Sequence, residues 1–216
     1  MDPVSQMSLN QLQKARRLTL IGNYDRTSTR YNVFAPGSSS PVMIASQPHN
    51  SIAEVTYPLT MLGADGRTEL GRIDVFWQKF SVFSPDNAQI GTGYRLKVIK
   101  LRRRWHLEQT GLPTFIGTMR GIRVLLNIVS YDRNFEGLFF PFRFDFSAPG
   151  QAGFRIRRRT GLRSRIRARI DNPLIDRRLV VAQMIAFSRW EQETLRKPWG
   201  SRQAPPMPTD QSHDTS

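Results

Sequence analysis

The chain has 216 residues, 39% of them hydrophobic and 23% charged, with no cysteine and a formal net charge of +15. Those values exclude wholesale disorder, disulfides, cysteine-ligated metal and S-palmitoylation, and the absence of an apolar run of roughly 18 residues excludes a free-standing transmembrane helix. Arginine supplies 27 of the 32 basic residues, and so large a positive excess points to a polyanionic partner, nucleic acid or an anionic membrane surface.

Residues 1–17 read as a polar N-terminal lead without the apolar h-region of a secretory signal. Residues 18–195 form one continuous block with no internal linker. Residues 196–216, with Pro198, Pro205, Pro206 and Pro208 among polar residues, read as a disordered proline-rich tail. Within the block, one pattern recurs: YNVFAPG at Tyr31–Gly37, FSVFSPD at Phe80–Asp86 and FDFSAPG at Phe144–Gly150. Alternating apolar residues that run into Pro-Gly or Pro-Asp predict a strand ending in a tight turn. Asp65-Gly66 predicts a further hairpin turn. Gly93–Leu107 reads as one long strand whose change of face suggests a bulge near Arg102–Arg104. Ile122–Val129 has the length of a buried strand. A dozen such strands call for a barrel or a two-sheet sandwich.

Arg155 to Ile170, RIRRRTGLRSRIRARI, places arginine at every second position on both sides of Thr160-Gly161-Leu162. Period two is the side-chain repeat of a strand. A three-residue turn there would pair Arg155 with Arg167, Arg157 with Arg165 and Arg159 with Arg163 on one face. Phe154 and Ile156 would lie opposite Ala168 and Ile166 on the other. Like charges directly opposite are mildly destabilising, which a bound anion would relieve. A second basic stretch, Lys97, Lys100, Arg102, Arg103 and Arg104, precedes Trp105 and His106, and an aromatic beside cations suits a membrane interface or a nucleobase.

Asn172-Pro173 then opens a helix expected over about 174–195. From Leu179 to Phe187 only Gln183 is polar. A helix apolar all round is a buried one. Its nine residues rise about 14 Å, half of a bilayer core of about 30 Å, so it belongs inside protein, threaded through the barrel. The expected fold is therefore mainly β: a closed antiparallel β-barrel of about twelve strands around one hydrophobic C-terminal helix.

The FSVFSPD-type turns, the Gly71–Ile73 element and the ending IDNPLIDRRLVVAQMIAFSRW at Ile170–Trp190 resemble the tubby-like superfamily of tubby C-terminal domains, phospholipid scramblases and LURP-one-related proteins. The resemblance covers roughly Leu18 to Glu193 and implies a lipid- or partner-binding barrel. The chain lacks the cysteine clusters and acidic calcium loop of animal scramblases, so calcium-triggered scrambling is not implied. Three scattered histidines and the absence of HExxH, GxSxG and Walker A motifs point away from an enzyme and from a cofactor. Asp145 and Asp132 read as isolated acids. The expectation is a cytoplasmic, peripherally membrane-associated protein that binds anionic phospholipid through its arginine-rich hairpin and the Lys100–Arg104 stretch. A nucleic-acid-binding or structural protein using the same face is the alternative.

Overall fold

The computed structural model describes residues 3–24, 28–48, 58–76, 79–96, 104–119, 142–158 and 165–196. Helix α1 (Pro3–Lys14) precedes strands β1 (Arg17–Tyr24), β2 (Ser28–Phe34), β3 (Met43–Pro48), β4 (Leu59–Gly63), β5 (Glu69–Phe76) and β6 (Lys79–Phe83). There follow β7 (Gln89–Leu96), β8 (Arg104–Gln109), β9 (Phe115–Met119), β10 (Phe142–Ala148), β11 (Gln151–Arg158), β12 (Arg165–Ile170) and helix α2 (Arg177–Arg196). Each strand pairs antiparallel with its neighbour in sequence, and β12 pairs with β1 to close a barrel of twelve described strands. The three Pro-Gly or Pro-Asp segments fall where expected, at the ends of β2, β6 and β10. The Asp65 turn is held by its own carboxylate, which accepts hydrogen bonds from the Arg67 and Thr68 amides and the Thr68 hydroxyl. The hydroxyl bond above all lowers that carboxyl to about 2.

Gly93–Leu107 is two strands rather than one bulged strand. Leu96 of β7 lies opposite Arg104 of β8, so the change of face near Arg102–Arg104 accompanies a chain reversal. The Ile122–Val129 run lies outside the described residues.

Alternate residues of most strands point inward to a core that α2 shares, with its main contacts on β1, β6, β7 and β12. All nine residues from Leu179 to Phe187 are at most 7% exposed, which places this segment in the core as its all-round apolarity requires. Phe187 stacks on Phe144 at 4.7 Å between centroids and meets Trp105 and Phe142 edge-on at 5.3 Å. Two wall positions have no room for a side chain. A Cβ on Gly91 would stand 2.9 Å from the Leu179 side chain, and one on Gly117 2.5 Å from the Phe146 ring.

The helix begins at Arg177, three residues later than expected, because Asn172 caps a turn instead: its Oδ1 accepts the Leu174 amide at 2.9 Å. Asp176 is the helix cap, accepting the Arg178 amide at 2.8 Å. Two arginines in a first helical turn oppose the helix dipole. Both are engaged elsewhere. Arg177 donates to the carbonyls of Ala15, Pro173 and Ile175, while Arg178 donates to the Leu70 carbonyl at 3.0 Å and pairs with Asp176 at 2.7 Å. Gln13 of α1 adds a bond to Asp176 at 2.8 Å, so the N-terminal lead is a helix docked on the barrel end where α2 begins. At the other end Arg189 donates to Gln47 of β3.

Burial alone would push the Asp176 carboxyl up, but the Arg178 guanidinium and the Gln13 amide hold it below the usual carboxylate range. A folded value below the unfolded one of about 3.9 means that its contribution is complete above that pH and lost as pH falls through the folded value. Asp176→Asn should cost about 3–5 kcal/mol at pH 7 and flatten the acid limb of stability, as measured by urea titration between neutral and acid pH.

Gln183 is fully buried, and neither amide atom has a hydrogen-bond partner among the described residues. An unpaired buried amide costs about 1–3 kcal/mol. Gln183→Met should raise the urea midpoint, a gain of about 1–2 kcal/mol. A loss of stability would show the amide to be partnered.

Candidate anion-binding face

The inward parity of β10, β11, β12 and β1 is taken up by Phe144, Phe154, Ile156, Ile166, Ala168, Leu18 and Leu20, all buried against the core. A period of two then leaves the intervening residues no direction but outward. Half of those residues are arginine. Arg143 on β10, Arg155 and Arg157 on β11, Arg165, Arg167 and Arg169 on β12, and Arg17 on β1 make seven arginines on one wall.

They stand in cross-strand rows. One row runs Asp145, Arg155, Arg169, Arg17, and the next runs Arg143, Arg157, Arg167, Thr19. Adjacent strands are about 4.8 Å apart, so successive guanidinium stems repeat at that interval. Five of the arginines, Arg17, Arg155, Arg157, Arg167 and Arg169, line a surface hollow of about 310 Å³ beside Pro36.

The expected pairing within the hairpin is corrected by two residues. Arg157 lies opposite Arg167 and Arg155 opposite Arg169, while Ile156 lies opposite Ala168 and Phe154 opposite Ile170. A shift of one residue would turn every side chain to the wrong face, but a shift of two leaves each on its own face, so the apolar pattern cannot distinguish the two registers. The register is fixed at the far end, where the Asp171 and Asn172 amides both donate to the Gly153 carbonyl. Arg159, Arg163 and the turn at Thr160-Gly161-Leu162 lie outside the described residues. So do Lys97, Lys100, Arg102 and Arg103.

Arg104 is described, and it joins the same wall. It lies opposite Thr118, which lies opposite Asp145, so it extends the first row three strands beyond Arg155. That is about 14 Å across the strands. Trp105, in contrast, points inward at 3% exposure and is no stacking platform beside these cations. Arg158 also follows the inward parity and is buried.

Asp145 is not isolated. It pairs with Arg143 at 3.1 Å and with Arg155 at 2.6 Å. Burial would raise its carboxyl, but those two guanidiniums bring it below the usual range. Arg169 pairs with Asp171 at 2.9 Å. The side chains of Arg17, Arg165 and Arg167 make no hydrogen bond or ion pair among the described residues. Sequence reasoning missed Arg17 and Arg143 as members of the face, and it placed Arg169 on the basic side of its strand without counting it in the site. For Arg143 and Arg169 the signal was present, since both keep strict alternation with Phe142, Phe144, Ala168 and Ile170. Nothing local announces that β1, about 150 residues upstream, closes the sheet on β12.

The two kinds of arginine should respond oppositely to neutralisation. Arg167→Gln removes one member of a like-charge opposed pair and should leave the ligand-free melting temperature level or raise it, a gain of at most about 1 kcal/mol. Arg155→Gln breaks a half-exposed ion pair and should cost about 1 kcal/mol. Thermal melts of the two variants beside the wild-type chain check both signs.

No family model, curated protein or solved structure matches the chain.

Proposed function

We propose that this protein is a non-catalytic, scramblase-like (tubby-like) barrel that binds anionic phospholipid at a membrane surface through the arginine face of β10, β11, β12 and β1. The observation that carries this reading is the gathering of seven outward arginines with only two acids, Asp145 and Asp171, among them. A broad wall of cations meets many headgroups at once. Arginine suits this task because its planar fork bonds phosphate and carboxylate oxygens bidentately.

The barrel carries apolar residues inside and charged ones on this wall, the inverse of the lipid-facing apolar band of a bilayer-spanning barrel. Among the described residues no helix is long and apolar enough to cross a membrane. Both features support contact with the headgroup layer in preference to insertion. The burial of Trp105 removes the aromatic that a base-stacking mode would use beside Arg104.

Seven arginines less two acids leave five net charges on the face. At about 1 kcal/mol for each charge near an anionic leaflet, binding is on the order of 0.1 mM, weak and reversible. Co-sedimentation with phosphatidylcholine vesicles, with and without phosphatidylserine, tests the reading. Binding should require phosphatidylserine and fall as salt shortens the screening length below about 10 Å. Equal binding to neutral vesicles would contradict the electrostatic mechanism. Tight duplex binding with a steep salt dependence and no vesicle binding would replace it with nucleic-acid recognition.

A further inference from the structure

Three acids on the described outer wall follow an arginine by two residues on the same strand or at its end: Asp74 after Arg72, Asp145 after Arg143 and Asp171 after Arg169. Residues two apart on a strand share a face, so each arginine reaches its acid directly. Asp74 and Asp171 have side chains 45% exposed, and each has one arginine partner among these ion pairs. Asp145 differs. Its side chain is 17% exposed, both its oxygens accept from Arg143, and Oδ1 also accepts Arg155 Nε from the neighbouring strand.

Resting on the anionic-lipid reading above, we propose that Asp145, assisted by Asp171, is a built-in counter-anion that holds the arginine face below its full attraction for a membrane surface. The carboxylate stands where a headgroup oxygen would otherwise be received by Arg143 and Arg155. Because it is tethered, its effective concentration at those guanidiniums is high, and a headgroup must displace it to engage them. Arg17, Arg165 and Arg167, with no such acid, are left as the open contacts. The face is thereby graded: Arg143, Arg155 and Arg169 are occupied internally, while Arg165 and Arg167 of β12 and Arg17 of β1 are open. Asp74 lies on β5, on the opposite side of the closed barrel from this wall, and serves as a matched acid that does not touch it.

The test is a titration of the full chain with phosphatidylcholine vesicles containing phosphatidylserine, comparing Asp145→Asn, Asp171→Asn and Asp74→Asn with wild type. All three variants raise the net charge by the same amount. Asp145→Asn should bind about fivefold tighter or more, the value for one added charge at an anionic surface, while its thermal stability falls because two arginines lose their partner. Asp171→Asn should tighten binding by a smaller factor, and Asp74→Asn should stay near wild type because screening acts within about 10 Å. A purely structural role for Asp145 would lower stability without tightening binding, and Asp145→Asn binding no more tightly than Asp74→Asn would overturn the inference. If Asp145→Asn does not fold, Asp171→Asn decides the matter, and equality with Asp74→Asn overturns it. Vesicles that bind neither wild type nor Asp145→Asn overturn the lipid reading together with this inference. Vesicles that bind both alike overturn the inference alone.

Discussion

Twelve strands enclose more space than their own side chains can fill. A closed sheet of about eight strands is just packed by its inward residues, and each added strand widens the interior. Here α2 supplies the missing volume. That single requirement explains why Leu179–Phe187 is apolar on every side and why the wall has Gly91 where Leu179 presses on it. It also explains why the polar anchors lie at the ends of the buried segment, at Asp176–Arg178 and at Arg189. The interior dictates the exterior as well. With one parity of β11 and β12 committed to Phe154, Ile156, Ile166, Ala168 and Ile170, the arginines between them are displayed outward as a consequence of the strand repeat.

The same repeat sets the limit of what the sequence reveals. It made the strand-and-turn units legible at Tyr31–Gly37, Phe80–Asp86 and Phe144–Gly150, and the central helix legible from its unbroken apolar run. It placed Arg155, Arg157, Arg165 and Arg167 on one face correctly. It could not choose between registers two residues apart, because those registers bury the same side chains. The hairpin between β7 and β8 was read as one bulged strand for a related reason: a reversal and a bulge both change the phase of alternation. The helix start at Asp176 depends on Gln13 and Leu70, and the membership of Arg17 depends on β1 closing on β12. These are contacts between distant segments, which local pattern does not encode.

The arginine wall has an internal structure that its charge alone does not convey. Arg167, opposite the like charge of Arg157, gains from an incoming anion, whereas Arg143 and Arg155 already share Asp145. A face of this kind combines a mild electrostatic strain in the free protein with a ceiling on affinity. On the proposed lipid reading, reversible attachment would follow from that balance, with the open cations attracting a surface and the tethered carboxylate limiting how firmly they hold it.

The absence of cysteine from the chain allows a label to be placed at one chosen position. Thr19 lies in the second arginine row on β1, and Ser81 lies outward on β6, across the barrel. The most direct measurement of the central claim is the emission of an environment-sensitive fluorophore at Thr19→Cys and, separately, at Ser81→Cys, as phosphatidylserine vesicles are added. The account expects a blue shift from position 19 and none from position 81. A shift confined to position 81, or no shift at position 19 while the protein is vesicle-bound, would contradict it.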